Sequence, residues 1–237
     1  LLHYCTNCFS GWSKLTVASV VGNWGGGLIW RITSGEFPSN AYFCEAHVPG
    51  GGILIDAGLD GNAIDAQMSE HGLHPHQVFC THGHFDHIGS ASYFQRKYGC
   101  QVFLHKSDDR TMKSCNFLLM ALKIRQKITL PGVTHIEDQF TMVVGGQTLK
   151  YLAAPGHTPG SCVIEFGDAW FTGDTLYSLG VGLSQLPGED INLLKTSIRA
   201  LWPGLTAQRT IYPGHGNVAD GASVRTQNRA LLTFLNL

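Results

Sequence analysis

Between residues 81 and 90 the chain reads THGHFDHIGS, and His82, His84, Asp86 and His87 in it can each hold a metal ion. With 12 His and 11 Asp in 237 residues, H-x-H-x-D-H arises by accident about once in a thousand such chains, the false-positive risk of any short motif. A metal site needs its ligands held still. The stretch just before the motif, Gln77 to Thr81 (QVFCT), is apolar and reads as a buried strand that runs straight into it. The fold must therefore bring further ligands to the end of that strand.

Three more candidates sit at the ends of strand-like runs, each beside a turn: His157 in APGHTPGS, Asp174 in FTGDTL and His215 in YPGHG. Glycine and proline there permit tight turns and close backbone approach to a small ion. Together the seven side chains make two sets. His82, His84 and His157 would give one cation three imidazoles; Asp86, His87 and His215 would serve a second, with Asp174 between them as a bridge. Imidazole and carboxylate suit zinc first, with iron or manganese as alternatives. A cation lowers the pKa of bound water from 15.7 to about 7, so hydroxide becomes available at neutral pH. Asp86 and Asp174 would hold that nucleophile in place. His3, His47, His71, His74, His76, His105 and His135 lack the strand-end context and read as ordinary surface or core histidines.

The other elements follow from periodicity and punctuation. LIWRIT (28–33), NAYFCEA (40–46) and ILIDAG (53–58) read as strands, and Asp60 to His71 as a helix stopped by Gly72. Ser90 to Tyr98 reads as a short helix ended by Gly99, with QVFLH as the next strand. A helical pattern runs from Ser107 to about Ile128 and closes at Pro131-Gly132. Residues 133 to 172 are strand-rich, 191 to 201 helical, 210 to 212 a strand, and 219 to 235 a final helix. This order predicts a layered α/β fold, with sheets inside and helices outside.

Composition removes several classes. A net charge of −1 gives no reason to expect nucleic acid as a partner. The longest apolar runs, such as Phe117 to Leu122, fall far short of the ~18 residues of a membrane span. Leu15 to Val21 after Lys14 imitates a short signal core, but no A-x-A cleavage pattern follows, so no signal peptide is expected. Seven scattered cysteines do not form a disulfide framework, which points to a reducing, cytoplasmic compartment. Cys5-x-x-Cys8 reads as a turn with two thiols.

The assembled motifs resemble the metallo-β-lactamase fold superfamily: Asp56 in ILIDAG, then His82-x-His84-x-Asp86-His87, His157, Asp174 and His215, over roughly residues 25 to 235. The resemblance implies one domain over 1–237, an αβ/βα sandwich of two mixed sheets flanked by helices, with two divalent metal ions at one sheet edge. It also implies that Asp56 braces the histidine loop instead of binding metal. Residues 1–25 have no assigned role. Within the superfamily the chain is similar to glyoxalase II-like single-domain hydrolases through TGDTLY, GVGLSQLPGED, YPGHG and VRTQNRALL. It departs from them in Leu183, where that group usually has Arg, in Asn228-Arg229 for Asn-Pro, and in lacking a recognisable glutathione-binding extension. The true β-lactamases usually replace the Asp that is Asp86 here and often use Cys at the second metal.

That likeness implies a dinuclear hydrolase acting on a thioester of glutathione, coenzyme A or a carrier protein, or on a similar activated carbonyl. Its partner is then a small-molecule or carrier-bound acyl substrate, and a homodimer is open. The alternative is a mononuclear iron persulfide dioxygenase built from His82 or His84, His157 and Asp174; lactone, β-lactam or phosphodiester hydrolysis and a non-enzymatic metal-bearing domain come after it. Tyr177 is a candidate substrate contact. Residues 106–130 read as a helical insertion, either packed on the core or serving as a lid. Six basic against two acidic residues between Lys106 and Lys127 would let Lys123 and Arg125 greet an anionic substrate.

Overall fold

The computed structural model describes residues 17–33, 37–46 and 51–237; the Cys5/Cys8 pair lies outside them. Two mixed sheets face each other. The first has seven strands in sequence order, β1 (Val17–Asn23), β2 (Leu28–Thr33), β3 (Asn40–Glu45), β4 (Gly51–Ile55), β5 (His74–Phe79), β6 (Gln101–His105) and β7 (Val133–Ile136). Strands β1 to β4 are antiparallel, whereas β4 to β7 run parallel. The second sheet orders β13 (Ala219–Asp220), β12 (Thr210–Pro213), β11 (Ala169–Gly173), β10 (Cys162–Phe166), β9 (Gln147–Ala153) and β8 (Thr141–Val144), with β11 and β12 parallel.

The period-two geometry of a strand sorts its side chains between layers. Ile53 and Ile55 of β4, Phe79 of β5 and Phe103 of β6 point between the sheets, where they meet Tyr151, Ile164, Phe171 and Tyr212. Leu54, Val78, Val102 and Leu104 point the other way, onto α1 (Gly61–Glu70), α3 (Ala91–Tyr98) and α5 (Cys115–Ala121). On the far side, Val163, Trp170 and Ile211 pack with Leu194, Ile198, Leu231 and Leu235 of α6 (Ile191–Leu201) and α8 (Arg229–Leu235). Strands buried on both faces read as continuous apolar runs, not alternating ones, so they stood out in the sequence. Helix starts carry the expected caps: Asp60 accepts from Ala63 N–H at 3.1 Å, and Asp190 from Leu193 N–H at 3.0 Å.

Three expectations need correction. Residues 17–23, left without a role, form edge strand β1 beside β2. The helix read from 107 to 128 is broken into a 3₁₀ turn at Lys106–Asp108, α4 (Asp109–Lys113) and α5. It stops at Lys123, which adopts a left-handed φ of 60°. The Lys123 and Ile124 N–H groups return to the Met120 and Leu119 carbonyls, a Schellman ending that overrides the helical pattern beyond it. The final helix divides into α7 (Gly221–Gln227) and α8 at buried Asn228, whose side chain caps α8 through Leu231 N–H at 3.1 Å. Among the described residues, no helix is long and apolar enough to cross a membrane.

Candidate metal centre

The parallel strand pairs set the site. Asp56 follows β4 and His82 follows β5; across the gap, Asp174 follows β11 and His215 follows β12. Ligands at the carboxyl ends of parallel strands are the usual outcome for such sheets. Polar bonds tie the two edges together there: Cys162 N–H to Thr81 O at 2.9 Å, Asn40 N–H to Gly214 O at 2.7 Å, and Tyr42 hydroxyl to Pro213 O at 2.8 Å.

All seven proposed ligands converge. His82, His84 and His157 form one compact group, Asp86, His87 and His215 another, and His82, His87 and Asp174 an overlapping third, with ligand atoms in each group within 4.8 Å of one another. Asp174 lies 3.3 Å from His87, 3.5 Å from His157 and 3.4 Å from His215. Asp86 lies 3.3 Å from His215. His82, His84, His87 and His157 are buried, while Asp86 and His215 are partly open to a cavity.

Hydrogen bonds on the far side of each ring decide which nitrogen is free. His87 Nδ1 meets Asp56 Oδ2 at 2.9 Å, His157 Nδ1 meets Gly182 O at 2.9 Å, and His215 Nδ1 meets Pro38 O at 3.0 Å. These oxygens only accept, so each Nδ1 donates and each Nε2 is the nitrogen turned toward the shared space. His82 Nδ1 contacts Thr81 Oγ1 at 3.1 Å; that hydroxyl donates to Asp56 Oδ2 at 2.8 Å and so accepts from the ring. Four Nε2 atoms thus face one space. His84 meets them through Nδ1, which shares a hydrogen bond of 3.0 Å with His157 Nε2.

The fit to metal rests on what these atoms lack. His82 Nε2, His87 Nε2 and Asp174 Oδ1 are buried without a hydrogen-bond partner. Buried polar atoms are normally paired, and each orphan costs about 1–3 kcal/mol. His87 Nε2 and Asp174 Oδ1 are 3.3 Å apart without a hydrogen bond between them, and both belong with His82 to one compact group. A cation there would satisfy all three atoms.

The acids and rings act strongly on one another. Burial lowers His84 to about 3, with His157 adding to the fall. Burial also opposes charge on His215, but Asp174 and then Asp86 outweigh it and hold that ring at about 10. Burial alone would raise Asp86; His87 and His215 instead hold it at about 2. His87 rises well above its usual value against burial, because Asp174, Asp86 and Asp56 surround it.

Asp56 is held at a left-handed φ of 55° and accepts from Thr81 N–H at 2.8 Å as well as from Thr81 and His87 side chains. Gly214 is needed for space: a Cβ there would fall 2.2 Å from Asp174 Oδ1 and 2.7 Å from His87 Cε1. Tyr177 lines the cavity with its ring 5.9 Å from that of His215.

Other supporting residues escaped the sequence reading. Buried Asp108, counted there only as a surface charge, accepts from Gly83 N–H at 2.7 Å, Gly160 N–H at 2.7 Å and Thr158 hydroxyl at 2.7 Å. It therefore clamps the His82–His84 loop to the His157 loop; its place straight after strand QVFLH was the available signal. Asn228 bonds Gly180 N–H at 3.0 Å and the Tyr177 carbonyl at 3.1 Å, fixing a cavity loop. Lys123 and Arg125 are exposed and do not line the cavity, and no residue of 106–130 does. Of the two readings of 106–130, the core-packed insertion matches this geometry: Met112, Cys115, Leu118 and Leu119 bury that segment against the helical layer.

The model of the metallo-β-lactamase superfamily matches residues 34–232. The chain belongs to the metallo-β-lactamase superfamily. Among curated proteins, a probable metallo-hydrolase of Bacillus subtilis, YqgX, is 29% identical over 86% of this chain and 97% of its own. A hydroxyacylglutathione hydrolase of Anaeromyxobacter dehalogenans is 29% identical over 75% of this chain and 66% of its own. Among solved structures, TTHA1623 in a di-iron-bound form is 28% identical, with a TM-score of 0.75 over 84% of this chain and 98% of that one. This superfamily membership supports a metal-dependent hydrolase in general terms.

Proposed function

We propose that this chain is a dinuclear metal-dependent hydrolase of thioesters or similarly activated carbonyls. One observation carries the dinuclear part: Asp174 lies within 3.5 Å of His157 from one group and of His87 and His215 from the other. A mononuclear site would leave Asp86, His87 and His215 without a role. His82, His84 and His157 would hold one ion, Asp86, His87 and His215 the second, and Asp174 both.

When bound, the ions supply Lewis acidity and a water of lowered pKa. The chain's own residues do the positioning. Asp56, Thr81, Gly182 and Pro38 hold the rings by Nδ1 so that Nε2 is the nitrogen that faces the reacting space. A cavity of about 420 Å³ opens on them, lined by Phe37, Tyr177, Leu179, Val181 and Leu186, and suits a small acyl group. A thiolate leaves readily because thiol pKa values lie near 8.5. The site accordingly needs no strong general acid, and among the described residues no carboxylate or histidine lines the cavity beyond the ligand set.

The first relative above is named a probable metallo-hydrolase and the second a hydroxyacylglutathione hydrolase, which supports this substrate class. Zinc is the first choice of metal, and the di-iron neighbour makes iron the rival. The test is metal per chain by elemental mass spectrometry, followed by a thioester panel. About two ions per chain with thioester turnover is expected. A single iron with oxygen uptake on a glutathione persulfide would replace this reading with the dioxygenase.

A further inference from the structure

The cavity is lined unevenly. Leu179, Val181, Leu183 and Leu186 make an apolar stretch, while β2 and β3 contribute Arg31, Thr33 and Asn40. Arg31 is the sole lysine or arginine among the lining residues. The six basic residues between 106 and 127 contribute none, so among the described residues Arg31 is the one lysine or arginine that lines the cavity.

Its surroundings place it without neutralising it. Nη1 donates to the Gly216 carbonyl at 3.3 Å and to Asn217 Oδ1 at 3.5 Å, both uncharged. Among the described residues no carboxylate pairs with it. Asn40 Nδ2 also donates to the Gly216 carbonyl, at 2.9 Å, and so steadies the anchor. A guanidinium carries five N–H donors, and its planar fork matches carboxylate and phosphate. Among the described residues, no hydrogen bond uses the Nε and Nη2 donors. Gly216 directly follows the ligand His215, which keeps the arginine within one small molecule's length of the reacting centre.

We propose that Arg31 is the subsite for an anionic group, carboxylate or phosphate, on the substrate end away from the scissile bond, with the hydrocarbon portion lying along Leu179, Val181, Leu183 and Leu186. The inference rests on the thioesterase reading. It narrows the substrate to a thioester with an acidic end, and predicts poor use of neutral ones.

The experiment uses the full chain loaded with zinc, as wild type, Arg31→Gln and Arg31→Lys. Turnover is measured on S-lactoylglutathione for carboxylates, acetyl-coenzyme A for phosphates, and a neutral N-acetylcysteamine thioester. Binding of the non-hydrolysable thioethers S-methylglutathione and S-methyl-coenzyme A is measured by calorimetry. Loss of a charge-assisted hydrogen-bonded pair should lower the anionic-to-neutral ratio of kcat/KM by about ten- to hundredfold in Arg31→Gln, mainly through KM. The matching thioether should lose a similar factor in Kd, Arg31→Lys should recover part of it, and the anion whose ratio collapses names the source. Metal content and thermal melting separate a lost subsite from a lost fold; should Arg31→Gln unfold, the Lys variant decides, with about tenfold weaker binding expected. A ratio unchanged in the variants, or thioether binding equal across all three proteins, overturns the proposal. Absence of turnover on every thioester would sink the thioesterase reading, and the thioether titrations would then decide Arg31 alone.

Discussion

The floor and the rim of the cavity are built on opposite terms. On the floor, His82, His84, His87 and His157 are buried, and Thr81, Asp56, Gly182 and Pro38 pin the outer nitrogens of His82, His87, His157 and His215. On the rim, Leu179 is 71% exposed and Leu183 44%, and the loop that carries them is tied down chiefly through Asn228. Reaction geometry tolerates little movement, so it sits on strand ends. Substrate choice needs only surface, so it sits on loops.

The floor should therefore fail abruptly when touched. Asp174→Ala removes the atom shared by both groups, so metal should fall well below two per chain and turnover by about a thousandfold or more. Elemental analysis and kinetics on the same sample check this, while circular dichroism should stay native. Full activity in Asp174→Ala would end the dinuclear reading. Asp108→Asn is a gentler attack on the same floor. It turns an acceptor toward the Gly83 and Gly160 N–H groups into a donor, leaving one of them unpaired at about 1–3 kcal/mol. Metal affinity should weaken by about ten- to hundredfold, as for other residues that brace ligands. Wild-type affinity in this variant would show that the two loops hold their places without the clamp.

Proton competition gives a smaller, graded effect. His215 sits at about 10 in the cation-free chain, above its ordinary 6.5. Its charge therefore stabilises that chain below the ordinary value, and the benefit disappears as pH rises through about 10. A metal ion must displace that proton and the one on His87. Apparent affinity should then climb by up to about tenfold per pH unit for each proton, with protons released to the buffer. Calorimetry in buffers of different ionisation enthalpy reads the release directly. Affinity independent of pH between about 6 and 9 would mean that the acids do not hold these histidines charged.

The same contrast explains what could be read from sequence. The floor was legible because its residues lie next to apolar strands buried on both faces, and strand ends with glycine and proline announce turns. Asp56, His82, Asp174 and His215 each follow such a strand. The rim was not legible. Arg31 faces the cavity from β2 while loop 177–186 arrives from the other sheet, and no spacing connects segments some 150 residues apart. Asp108 and Asn228 were hidden for a related reason: their partners are distant backbone N–H and C=O groups, which leave no mark on composition. The segment 106–128 misled in the opposite direction, since its concentrated charge is conspicuous in sequence but lies on its solvent face.

That segment offers the mildest test. Lys123 and Arg125 are exposed and outside the cavity lining, so Lys123→Ala with Arg125→Ala should change kcat/KM by less than about twofold, where Arg31→Gln changes it far more. Lys123 nonetheless has a structural consequence. It holds the left-handed position that ends α5, where a Cβ is crowded against the following carbonyl and glycine is not. Lys123→Gly should stabilise the chain by about 0.5–1 kcal/mol, net of glycine's greater freedom in the unfolded state, and leave activity alone. Chemical denaturation reads the first and kinetics the second. Lower activity with intact metal would show that α5 reaches the substrate after all, and would return charge recognition from the rim to the helical layer.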